Sequence, residues 1–212
     1  MEFVQIADVL MPIAVIYAII AFGRRWSTVR QLPLAKDLSA AKGRSSRGVI
    51  YAFTQGMAPW AKESTRRHPI TYLRGILFHL GIVVGFAALL GSPWIDRADA
   101  ALRLAGAVIV TAGAACGIIG GILRLTDSHL RTISTADDHL SVWLVSLFLV
   151  SVAVGLLWLR FIPVLQIIGA ITLIYAPASK IRHFIFFYFG RLFFGIHIGR
   201  RGIVQGLESH HE

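Results

Sequence analysis

Cysteine occurs once in this chain, as Cys116, inside an apolar run. That excludes an internal disulfide, a CxxCH haem-attachment site and any iron–sulfur cluster ligated by this chain's cysteines alone. Charge is scarce too: Asp, Glu, Lys and Arg make up 15% of the 212 residues, while 56% are hydrophobic. A soluble domain cannot bury that much apolar surface, so the chain reads as an integral membrane protein. Acidic residues are the rarer charge, eleven against twenty-one Lys and Arg, for a net charge of +10. The bases form no domain of their own, which argues against nucleic-acid binding. They lie between the apolar blocks, where membrane topology puts them.

What is present is a set of long apolar runs without period-2 alternation, which favours helices over barrel strands. Five spans follow, at about 3–22, 70–92, 101–123, 140–159 and 162–181. Each is about 20 residues, enough to cross ~30 Å of hydrocarbon at 1.5 Å per residue. The expected fold is all-α, a five-helix membrane bundle in one domain. The first run begins with acidic residues, Glu2 and Asp8, and its bases come after it. It therefore reads as an uncleaved span rather than a secretory signal. With the N-terminus outside, the segments 23–74, 124–139 and 180–212 hold eleven, two and five Lys or Arg, leaving Arg97, Arg103 and Arg160 on the outer side. The positive-inside rule thus predicts an outer N-terminus and a cytoplasmic C-terminus.

The connection 24–69 starts polar and turns amphipathic, with Tyr51, Phe53, Met57 and Trp60 suited to an interface. It reads either as a solvated linker near anionic lipid or as a docking surface for a cytoplasmic subunit. The tail 184–212 poses the same choice: it is aromatic, but Arg191 interrupts it too early for a sixth span. In the third span Gly106, Gly113, Gly117, Gly120 and Gly121 recur, and three of them form overlapping small-xxx-small steps that let a neighbouring backbone approach. Packing is the simpler reading; room for a flat cofactor is the other.

Eight histidines remain. His210 and His211 lie in a polar tail, His129 and His68 near the interface, and His197 carries no assignment. His139 opens the fourth span, with Asp137 or Asp138 as its expected cap. His79 lies about 7.5 Å along its helix from Arg74, in the cytoplasmic half of the second span. His183 closes the fifth span on the same side. Two histidines at similar depth on different helices admit two readings: hydrogen bonds to neighbouring helices, or both axial positions of one haem iron. In the second reading Gly75 and Ser179, one turn before each histidine, give a porphyrin room. Arg74, Lys180 and Arg182 then suit its propionates.

The segments "GILFHLGIVVGF", "GAACGIIGGILRL", the "GLL" ending the fourth span and "IIGAITLIYAPASKIRHF" resemble the haem b membrane subunit of respiratory nitrate reductase, its gamma subunit. They are similar also to the cytochrome b subunits, Dsr-type among them, that accompany heterodisulfide-reductase-like iron–sulfur proteins. The likeness covers about residues 70–185, and "PWAKESTRRHPITYL" looks closer to the latter branch. The resemblance implies a haem b on His79 and His183, exchange with a quinone, a cytoplasmic iron–sulfur partner and a place in a bacterial or archaeal cytoplasmic membrane. In the nitrate enzyme a second histidine pair holds an outer haem. Those positions fall on Leu89 and Leu165, and no histidine occurs in 80–128 or 140–182. One inner haem is expected, with His68 or His139 available to a second.

Overall fold

The computed structural model describes residues 2–33, 35, 37–61 and 63–204. Among them it is all-helical and without strands. Its helices are α1 (Glu2–Arg30), α2 (Ser45–Phe53), α3 (Glu63–Arg67), α4 (Pro69–Gly91), α5 (Ala100–Thr126), α6 (Ser128–Ile133), α7 (Ala136–Leu157), α8 (Ile162–Tyr175) and α9 (His183–Arg200). Four stretches are long and apolar enough to cross a membrane: Phe3–Arg30, Pro69–Arg97, Ala100–Thr126 and Ala136–Leu157. Leu159–Tyr175 and Lys180–Arg200 pass the same test only together, as a broken fifth. His210 and His211, and the tail from residue 205, lie outside the described residues.

Two compact units make up the chain. One comprises the chain up to Phe22 with Leu73–Arg182; the other comprises Gly23–Tyr72 with the chain from His183 onward. In the first, α1 buries a stripe of Ala7, Met11, Ala14 and Ala18, spaced three or four apart as one helix face requires. Its isoleucines at 13, 16, 19 and 20 stay exposed, as lipid-facing residues do. Apolar burial drives little association between helices already in hydrocarbon, so close contact must do the work. Glycine supplies it. A Cβ on Gly113 would stand 2.9 Å from the Gly81 Cα, and one on Gly121 2.9 Å from the Trp143 ring. The third-span glycines at 113, 117 and 121 are therefore packing residues, whereas Gly120 meets nothing within 4 Å. Phe148, Leu149, Leu89, Leu165, Val110 and Val152 are the fully buried large side chains of this core.

The expected fifth span, 162–181, is not one helix. α8 ends at Tyr175, and residues 176–179 turn before a 3-10 stretch, Lys180–Arg182, leads into α9. Pro177 is the physical reason: it has no N–H to donate, and within a helix its ring would crowd the carbonyl four residues back. The Ala178 and Ser179 amides close turns on the Tyr175 and Ala176 carbonyls, at 3.1 and 3.3 Å. His183, expected to close a span, instead opens a new helix. The aromatic tail, expected to be too interrupted for a sixth span, is helical from His183 to Arg200 but passes as a span only together with α8.

The start of α7 corrects a second expectation. Its N-cap is Thr135, with Asp138 at the third helical position reaching back to the Thr135 amide at 2.8 Å. This is a capping box, and two carboxylates in the first turn also suit the positive end of the helix dipole. Asp137 accepts from the Tyr175 hydroxyl and, at 2.9 Å, from the Lys180 amide, tying α7 to the end of α8 and the turn after it. Asp138→Ala should lower stability by about 1 kcal/mol, nearly all of it from the lost cap. The ion pair with Lys180 adds little because that lysine is half exposed. A denaturation midpoint in detergent, compared with that of Lys180→Ala, separates the two contributions.

In the second unit α2 lies on α9 through glycine on both sides. A Cβ on Gly195 would stand 2.7 Å from the Val49 Cα, and one on Gly199 2.6 Å from the Arg44 carbonyl oxygen. Arg191, whose charge argued against a sixth span, donates to the Ala52 carbonyl and lies over the Phe194 ring. Trp26 packs against Tyr188 and Phe189, with ring centroids 4.8 and 4.7 Å away. The 24–69 connection is thus partly folded, its α2 seated on the tail helix.

Candidate functional site

His79 sits within α4, whose 23 residues hold only two other titratable side chains, Tyr72 and Arg74, both in its first two turns. Its Nδ1 lies 2.7 Å from the Gly75 carbonyl oxygen, one turn back. A carbonyl can only accept, so Nδ1 carries a proton, and in the neutral form of the ring the lone pair is on Nε2. This is the tautomer a metal-ligating histidine adopts when a backbone carbonyl holds its other nitrogen. The ring is exposed, and a Cβ added to Gly75 would meet no atom within 4 Å. A side chain added at Gly75 would therefore enter open space. Arg74 is half-buried beside them.

His183 is exposed at the first position of α9. It belongs to the second unit, whereas His79, Arg74, Gly75, Ser179, Lys180 and Arg182 belong to the first. The assignment of the two histidines to one iron therefore stands on the sequence. The other expected site residues have protein partners. Ser179 is buried: its hydroxyl donates to the Ala176 carbonyl and accepts from the Ile181 amide, both at 3.1 Å. Lys180 pairs with Asp138, and Arg182 donates to the Ala178 carbonyl at 2.9 Å.

Sequence reasoning missed the group formed by Asp137, Asp138, Tyr175 and Lys180. The signal for half of it was present in "TADD", a Thr followed three residues later by an acid. Tyr175 had no such signal, because it lies 38 residues from Asp137 and meets it only where α8 packs on α7.

The remaining histidines divide simply. His68 and His129 are exposed, and His139 is half-buried with its Nδ1 inaccessible and without a hydrogen-bond partner. His197 repeats the His79 pattern, its Nδ1 2.9 Å from the Phe193 carbonyl oxygen. Leu89 and Leu165, on which the expected resemblance would put the outer haem ligands, are fully buried. Leu89 packs so closely on Gly169 that a Cβ there would come within 2.6 Å of it, and Leu165 lies against Gly155. Among the described residues no three His, Cys, Asp or Glu gather as a metal site. No family model, curated protein or solved structure matches the chain.

Proposed function

We propose that the chain is a membrane cytochrome b subunit that relays electrons between a quinone pool and a cytoplasmic iron–sulfur partner. The observation that carries this reading is the His79 geometry. An intramembrane imidazole is held by Nδ1, with its lone pair on Nε2, beside a glycine whose surroundings are open. Haem b would supply one-electron chemistry by cycling its iron between ferrous and ferric. His79 and His183 would be the axial ligands, and Arg74 and Arg182 the cations nearest them in sequence for the propionates. The absence of cysteine ligands leaves onward transfer to a partner that carries the clusters. The leucine packing at 89 and 165 supports a single inner haem over the two-haem plan.

By the distribution of bases, the N-terminus is outside and the C-terminus in the cytoplasm of a bacterial or archaeal cell. The connection 24–69 and the tail then face the partner. A second reading, a cofactor-free anchor or assembly subunit of such a complex, draws on the partners found by Lys180 and Ser179. Both residues are engaged by protein rather than presented to a cofactor.

The test is a dithionite-reduced minus oxidised spectrum of the purified chain with haem quantified per polypeptide, followed by reduction with a quinol. A low-spin b-type spectrum at about one haem per chain, reduced by quinol, is the expected result. A well-folded preparation that carries no haem, although produced with haem in ample supply, would establish the anchor reading instead.

A further inference from the structure

The two units differ sharply in charge. The unit of Gly23–Tyr72 and the chain from His183 onward holds thirteen Lys and Arg against four Asp and Glu; the other holds eight against seven. Almost all of the net charge of +10 therefore belongs to one unit.

Within that unit, the bases converge where residues 37–44 strap over the C-terminal end of α9. The Lys42 and Gly43 amides donate to the Arg200 carbonyl at 2.8 and 3.0 Å. Arg200 donates through Nη2 to the Ser39 carbonyl at 3.2 Å, and Arg201 pairs through Nε with Asp37 at 3.0 Å. The Arg44 carbonyl lies against Gly199. Four bases thus surround one helix end, with Asp37 the one carboxylate the strap brings to them. Cations do stabilise a helix C-terminus. Here, however, the terminal carbonyl is already satisfied by two backbone amides, which leaves the charge in surplus.

Beside this end lies a cleft of about 670 Å³. Phe193, Phe194, Ile198 and Ile203 give it apolar walls, and Ser39, His197 and the Asp37–Arg201 ion pair give it a polar rim, with Lys42 and Arg44 on the strap beyond it. A small anion would leave those walls uncovered, and a neutral lipid would leave the bases without a counter-charge. We infer that this junction is a binding site for an anionic phospholipid, its phosphate on the bases of the strap and helix end and its acyl chains against the cleft walls. The inference goes beyond the electron-transfer reading and does not depend on it.

The experiment uses the full chain in detergent, equilibrated with equal amounts of phosphatidylglycerol and phosphatidylcholine of identical acyl chains. Lipid retained after washing is then counted by native mass spectrometry. The wild type should retain the anionic lipid in clear preference. Lys42→Gln with Arg44→Gln, both exposed side chains, should reduce that preference about thirtyfold, at roughly fivefold per base. Ile203→Gln should weaken retention of the lipid while leaving the bases in place; unchanged circular dichroism is required of each variant. Equal retention of the two lipids by the wild type would overturn the site. So would full preference in the double Gln variant, or displacement by inorganic phosphate regardless of acyl length.

Discussion

His79→Ala is expected to remove the low-spin b-type haem spectrum altogether, and His183→Ala to do the same. Alanine supplies no nitrogen, and a bis-histidine iron that loses one ligand loses its low-spin state. Retention of the full spectrum in either variant would sink the ligand assignment. Gly75 sharpens the test because the chain itself leaves open space there. Gly75→Leu should fold as well as the parent, helped slightly by the better helix propensity of leucine. If a porphyrin lies along this face, the same variant should lose most of its haem. Full haem content with Gly75→Leu would move the cofactor off this face even if His79 remained a ligand. Haem per folded chain is the readout for all three substitutions.

The second large effect is expected at Gly48. A side chain there would run into the backbone of Gly195 and Gly199. Overpacking against side chains typically costs 1–3 kcal/mol, because rotamers can yield. Here the obstacle is main chain on both sides, so Gly48→Leu should separate α2 from α9 rather than strain the contact. Limited proteolysis should then cut within 24–69 at least tenfold faster than in the parent. Gly190→Ala, on α9 but with nothing within 4 Å of its added Cβ, should leave the rate unchanged. Equal protection of Gly48→Leu and the parent would show that the α2–α9 contact does not hold the unit together.

The strap over α9 has its own electrostatic lock. The Ser39 hydroxyl and then Arg201 hold the Asp37 carboxyl well below the usual carboxylate range. A lowered folded-state value means the stabilisation is present above the unfolded carboxylate range. It is lost only as pH falls through the lower folded value.

Much of this architecture could be read from residues alone, for identifiable reasons. The helices Pro69–Gly91, Ala100–Thr126 and Ala136–Leu157 match expected spans to within a few residues, because uninterrupted apolar runs flanked by charge leave few alternatives. The first helix runs on to Arg30, past the end of its apolar run. Hydropathy passed over the break at Pro177, since Ala-Pro-Ala is apolar enough to average into its surroundings while lacking the amide a helix needs there. At α9 Arg191 counted against a separate span, and that helix passes as a span only together with α8; what hydropathy did not show is that Arg191 finds the Ala52 carbonyl and an aromatic face. Of the candidate site, His79 was singled out by its apolar setting; its contact with the Gly75 carbonyl was not read, because it depends on the side-chain rotamer. The protein partners of Ser179 and Lys180 came from contacts with the turn and with α7, which spacing along one helix does not reveal.

The division of the second unit between two distant parts of the chain has a consequence for how the protein is made. Residues 23–68 leave the ribosome before α4 through α8, yet their glycine-lined partner, α9, is synthesised after all of them. At about 5–20 residues per second, the early segment waits on the order of ten seconds for the helix it seats on. Throughout that interval it carries most of its bases and an uncovered glycine face. The membrane helices must therefore be threaded first, and the final helix acts as the closing piece. A nonsense mutation after Arg182 would leave a chain with its inserted helices complete and its early connection permanently unclosed, a natural handle for cellular proteases.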